Sequence, residues 1–74
     1  MARLEITTEV TGNVWKIGTS VGDHLDAEDV ILVLESMKME IPIETPSAGE
    51  ITEILVQEED SVVEDQVVAI IETS

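Results

Sequence analysis

The sequence predicts an all-β domain with quasi-twofold symmetry, and three observations carry that expectation. Val, Ile and Leu supply most of the apolar bulk, Trp15 is the only aromatic, and alanines are few. Such a β-branched bias fits pleated, half-buried surfaces. No stretch keeps apolar residues at helical spacing long enough to form an amphipathic helix. Finally, sliding the chain along itself by 37 residues brings its halves into register without a gap. Leu4 and Ile6 then meet Ile41 and Ile43, Thr8 meets Thr45, Gly12 meets Gly49, Val14 meets Ile51, and Asp23 meets Asp60. The repeat predicts two four-stranded antiparallel layers, one from each half.

Each half reads alike. A short strand comes first, at residues 4–6 and 41–43. The turn after it carries Gly12 in one half and Pro46, Ser47, Ala48 and Gly49 in the other, where glycine can take a positive φ. A longer strand follows, over residues 13–18 and 50–57. Then come a polar loop (Gly22 and Asp23; Glu58, Glu59 and Asp60), a brief strand at Leu25 or Val62, and a second polar turn. Each half closes on an apolar run. The first run, residues 30–34, does not alternate and reads as a strand buried on both faces. Pro42 lacks an N–H, so its strand belongs at an edge. No helix, linker or second domain is visible, and residues 1–74 read as one domain.

Because one half's closing strand runs almost directly into the next half's first strand, Glu35, Ser36, Met37, Lys38, Met39 and Glu40 fall at a hairpin tip. Lys38 is one of three basic residues in the chain, displayed there between two thioethers. Methionine usually fills cores, so a pair at a tip points to something that docks on it. Glu35 and Glu40 are expected as ionic neighbours of the ammonium. Under the 37-residue shift Lys38 falls near the chain start, which predicts the hairpin and the paired termini at opposite ends of the dyad.

These residues resemble the modification motif of biotinyl domains, (Ala/Ser)-Met-Lys-Met preceded by Glu. The likeness extends through the Gly22-Asp23 turn and the Pro46-Ser47-Ala48-Gly49 segment, and covers essentially the whole chain. It implies the flattened β-barrel, or barrel-sandwich hybrid, of the biotin/lipoyl attachment family. It also implies that Lys38 is acylated by a biotin protein ligase from the biotin adenylate, with Glu35, Ser36, Met37 and Met39 as the recognition motif. The function so implied is that of a non-catalytic biotin carboxyl carrier. The arm on Lys38 would move activated carboxyl between the biotin carboxylase and carboxyltransferase sites of an acyl-CoA or pyruvate carboxylase. Residues 22–30 leave no room for the thumb that some relatives insert, so the nearest likeness is to free-standing, thumbless attachment proteins and to the terminal biotinyl domains of acyl-CoA and pyruvate carboxylases. Relatives often carry Gly where this chain has Glu28, Glu59 and Asp65. Lipoyl carriers of 2-oxo-acid dehydrogenase-type systems share the fold and the lysine, and lipoate is the alternative cofactor. They usually place Asp before the lysine and Ala after it, unlike this chain. An unmodified acidic β adaptor is the third reading.

Seventeen acidic residues against three basic ones, net −14, exclude nucleic acid and anionic membranes as partners, since both require a basic patch. The acidity suits solubility, with steering toward a basic partner the second explanation. There is no cysteine, no apolar run of membrane-spanning length and no signal-peptide core, so a monomeric cytoplasmic domain is expected. Elsewhere no catalytic or metal constellation stands out. His24, beside Asp23 and Asp26, reads as a solvated turn residue rather than a ligand or base. The acidic run Glu58, Glu59 and Asp60 lacks the alternating oxygen spacing of a calcium loop. Trp15 is expected to pack in the core or at its rim.

Overall fold

A computed structural model describes residues 2–73. They form eight strands: β1 (Ala2–Thr7), β2 (Gly12–Ile17), β3 (His24–Leu25), β4 (Val30–Ser36), β5 (Met39–Glu44), β6 (Gly49–Ile54), β7 (Ser61–Val62) and β8 (Val67–Thr73). The first four map onto the last four, end for end, under the 37-residue shift. Two four-stranded antiparallel sheets result, ordered β1-β8-β6-β3 and β5-β4-β2-β7. Applying the shift to one order yields the other, so the pseudo-dyad exchanges the sheets. The ladder does not continue from one sheet to the other, and the flattened barrel has the form of a sandwich.

The halves do not each supply a layer, as the repeat had suggested. Every sheet takes two strands from each half, because β1 pairs with β8 and β4 with β5. Hairpin β4–β5 straddles the repeat boundary, and its dyad mate is the pairing of the chain's two ends. Neither half can therefore close its ladder alone.

The core consists largely of dyad pairs: Ile6 with Ile43, Val14 with Ile51, Leu25 with Val62, Ile31 with Val68, Leu32 with Ala69, and Leu34 with Ile71, all buried. Burying a side chain of this kind contributes about 1.5–3 kcal/mol. The buried polar pair Thr8 and Thr45 is satisfied locally, since each hydroxyl donates to the carbonyl two residues on, Val10 O at 2.8 Å and Ser47 O at 2.6 Å. The apolar run of β4 is not buried on both faces. Its ladder with β5 skips Ile31, and this bulge lets neighbouring Ile31 and Leu32 both turn inward, while Val30 is exposed and Val33 half-buried. The two-faced burial belongs to β8, which lies between two strands and buries Val68, Ala69, Ile70 and Ile71. Pro42 lies on edge strand β5, where its missing N–H faces no partner. β6 stops at Ile54 rather than at Gln57, whose N–H instead bonds Asp60 Oδ2 at 2.8 Å in the following turn.

The turns keep left-handed geometry despite their side chains. Glu28 (φ 74°) and Asp65 (φ 71°) are dyad mates, as are Gly22 (φ 96°) and Glu59 (φ 76°). Gly12 and Gly49, by contrast, do not take the positive φ expected of them. They are needed for closeness: a Cβ on Gly12 would lie 2.6 Å from Glu35 O, and one on Gly49 2.6 Å from Glu72 O.

Hairpin tip and chain ends separate as expected. Thr45, just beyond β5, exchanges backbone bonds with Glu28 and Asp29, close to Leu25. Leu25 lies opposite Gly49, and Gly49 opposite Thr73, which pairs with Ala2. The six residues of β5 thus lead from the end of the molecule near the termini to the tip, along a body 36 × 19 × 18 Å in extent.

Candidate functional site

Ser36 pairs with Met39, which leaves Met37 and Lys38 as a two-residue loop. Both have positive φ, 50° and 67°. This is the pattern of a type I′ turn, whose twist matches that of the flanking strands. Asn-Gly is the usual occupant of such a turn. Placing Met and Lys there costs roughly 1–2 kcal/mol for each residue. Strain of this kind collects where function demands a particular projection. Here it puts Lys38, exposed, at the far point of the hairpin, beside Met37 at 93% exposure and Met39 at 64%.

Glu35 and Glu40 do not serve as ionic neighbours of Lys38. They face each other across the hairpin, one step below the Ser36–Met39 pair. Among the described residues the only basic side chain close to a carboxylate is that of His24, 3.6 Å from Glu50. Strand alternation holds both carboxylates on the outer face of β4 and β5, whereas the turn carries the lysine off the end.

Below the tip, the hairpin is tied to the β1–β2 loop. Half-buried Ser36 donates its hydroxyl to Thr11 O at 2.9 Å, and Thr11 Oγ1 accepts the N–H of Glu64 at 3.2 Å. Gly12 packs its bare Cα against Glu35 O. Sequence reasoning missed Thr11. It lies 25 residues before Ser36, and what links them is a carbonyl, which any residue possesses.

The remaining candidates fall elsewhere. His24 is exposed on β3, away from the tip, and no cluster of three or more metal-ligating side chains occurs among the described residues. Glu58 and Asp60 bond backbone rather than converging on one another: Glu58 Oε2 accepts the N–H of Ile17 at 3.2 Å, and Asp60 Oδ2 that of Gln57. Trp15 is half exposed beside the β2 bulge, with no place in the core.

The tip is thus an exposed lysine on a two-residue turn, flanked by two exposed methionines. Residues 4–71 match the family described as biotin-requiring enzyme, and the chain belongs to this biotin/lipoyl attachment family. It is 36% identical over 64 residues to a biotin/lipoyl attachment protein of Bacillus subtilis (strain 168), covering 86% of this chain and 88% of that one. Over 68 residues it is 38% identical to urea amidolyase of Saccharomyces cerevisiae, covering 92% of this chain but 4% of that protein. The urea carboxylase structure from Kluyveromyces lactis superposes with a TM-score of 0.92 at 32% identity, over 97% of this chain and 6% of that one. A single-chain long-chain acyl-CoA carboxylase shares the fold, with a TM-score of 0.92 at 21% identity over 97% of this chain and 7% of that one. The chain is thus similar to small attachment proteins over most of their length and to a few per cent of much larger carboxylases.

Proposed function

We propose that the chain is a biotin carboxyl carrier whose Lys38 is the attachment residue. The observation that carries this reading is the tip itself: an exposed lysine between two exposed methionines on a turn with both central residues left-handed. The site fits a covalently held group, because Nζ is accessible and its amide would leave no buried charge behind. In the acylation step the neutral amine of Lys38 attacks the acyl carbon of the activated acid. A C–N bond forms, the bond from the acyl carbon to the phosphate oxygen breaks, AMP leaves, and one proton is lost to the ligase. Glu35, Ser36, Met37 and Met39 form the surface that the biotin protein ligase reads. When bound, biotin supplies a ureido nitrogen that can hold carboxyl.

The domain itself contributes rigidity and exposure, and it raises the local concentration of the arm at the two partner sites, biotin carboxylase and carboxyltransferase. Similarity to regions of urea carboxylase and urea amidolyase supports carboxylase partners. The acyl acceptor, whether acyl-CoA, 2-oxo acid or urea, is a property of the partner. The carrier reading carries with it a reducing, cytoplasmic setting, with which a chain free of cysteine is compatible. Lipoate on the same lysine is the second reading, favoured by the 36% identity to a protein named for both attachments. The deciding measurement is the intact mass of the native protein and of Lys38→Ala. A biotin-sized increment lost in the variant supports the carrier reading. A lipoyl-sized increment moves the function to the second reading, and no increment leaves an unmodified adaptor.

A further inference from the structure

Beside the hairpin root, Asn13, Val14, Trp15, Glu35 and Glu59 line an open groove of about 520 Å³. We propose that this groove seats a cationic side chain, arginine above all, presented by the enzyme that acylates Lys38, and that Glu59 is placed to hold it. The inference rests on the reading of Lys38 as the attachment residue.

Three features that the dyad does not require coincide here. The first is Trp15. The bulge itself obeys the dyad, since the β2–β4 ladder skips Trp15 and the β6–β8 ladder skips Thr52; what differs is the side chain each bulge aims. Thr52, the dyad mate of Trp15, is half-buried and donates its hydroxyl to Ile70 O at 3.1 Å, whereas the indole is left 50% exposed.

The second is charge. Across the other sheet runs a row of facing residues, His24, Glu50, Glu72 and Arg3, with a basic residue at each end. The equivalent row here is Ser61, Asn13, Glu35 and Glu40, two carboxylates with no cation. Lys16, nearby on β2, stands opposite Val33 and forms no ion pair among the described residues.

The third is Glu59 itself. It holds a left-handed φ of 76° at the position where the other half has Gly22, and its N–H is bound to Val14 O at 2.7 Å. A side chain is kept where glycine is easier, and the one kept is a carboxylate that borders Trp15. An indole face bordered by two carboxylates is the chemistry that receives a guanidinium, which stacks on the ring and bonds at its edges.

The geometry also selects the partner. Acylation forms its bond at Nζ, so the ligase must enclose the tip. Glu35 is three residues from Lys38, at most about 11 Å along the chain, and lies within the ligase's footprint. Carboxylating enzymes meet the far end of a long arm and stand further off.

The test measures steady-state acylation of the domain by a bacterial biotin protein ligase with ATP and biotin. The variants are Trp15→Thr (the residue at its dyad mate), Glu59→Gly, and Glu28→Gly. The last removes the same charge from a left-handed turn at the end of the molecule near the termini. The expected result is a rise in KM of roughly tenfold in Trp15→Thr and Glu59→Gly, as for loss of an interface anchor, with kcat retained. Glu59→Gly should melt no lower than the parent, and Glu28→Gly should keep the parental KM. Unchanged KM in both groove variants overturns the proposal. So does an equal rise in Glu28→Gly, which would reduce the effect to bulk charge, or a loss confined to kcat. Trp15 is the only fluorophore of its kind, so its emission during titration with acetyl-arginine amide, against uncharged acetyl-citrulline amide, reads the groove without the ligase. A change selective for arginine that is lost in Glu59→Gly supports the seat, and equal responses to the two probes refute it. If the parent takes no biotin, the carrier reading fails on its own, and this titration alone decides the groove.

Discussion

The role proposed for Lys38 rests on its position, and its side chain is dispensable for packing. It is exposed and forms no ion pair among the described residues, so Lys38→Ala or Lys38→Arg should change stability by no more than about 0.5 kcal/mol. Denaturant melts, run beside mass measurement of acylation, check this. A large loss of stability would make the lysine structural and remove the basis for the proposed role. Glu28 and Asp65 illustrate the opposite balance: both sit at φ near 70° in turns that do not line the proposed groove. Replacing either with Gly should stabilise the fold by something under about 1 kcal/mol, because relief of left-handed strain outweighs the greater freedom of the unfolded chain. A lower midpoint would show that these carboxylates make contacts worth more than the strain. The glycines divide in the same way. Gly12→Ala drives a Cβ to 2.6 Å from a backbone oxygen and should cost about 1–3 kcal/mol, whereas Gly18→Ala meets nothing within 4 Å and should be neutral or slightly stabilising.

The β4–β5 hairpin gives the lysine its direction. A two-residue loop with both residues left-handed leaves no slack, and Ser36 with Gly12 anchors the strand beneath it. Exchanging the residues at 38 and 39 keeps composition and charge, but it moves the amine from the turn into the pair facing Ser36. That protein should fold with unchanged Trp15 emission and melting, yet accept biotin far more slowly than the parent. Equal rates would mean that the ligase needs only an accessible amine. A charged residue at Met39 should slow acylation without unfolding, since its side chain is 64% exposed. The hairpin was readable in advance because Glu35-Ser36-Met37-Lys38-Met39-Glu40 lies between two apolar segments with room for nothing but a tight turn. Its left-handed pair was not, since neither Met nor Lys announces positive φ. The burial of β4 is not legible for a related reason: the run at residues 30–34 looks the same whether a strand is covered on both faces or a bulge turns neighbours the same way.

Taken together, the two sheets behave as one cooperative body, because each sheet takes strands from both halves. Separate expression of residues 1–37 and 38–74 should therefore give two unfolded peptides, with strand circular dichroism appearing only on mixing, if at all. A folded half would contradict the interleaved pairing. The net charge of −14 opposes compaction, so added salt should raise the melting temperature of the intact domain. The fold class, the eight strands, the dyad and the tip lysine all follow from local pattern: β-branched runs, punctuating turns, a 37-residue periodicity and a short motif. These signals survive in one dimension because each depends on neighbours within a few residues or on simple repetition. Which half pairs with which, why Gly12 cannot bear a side chain, what anchors Ser36, and where Trp15 opens onto carboxylates from two other segments were settled only by folding. Each is a contact between residues far apart in the chain. Partners such as the carbonyl of Thr11 or the oxygen of Glu35 belong to the backbone and leave no mark in the identity of the residue that supplies them.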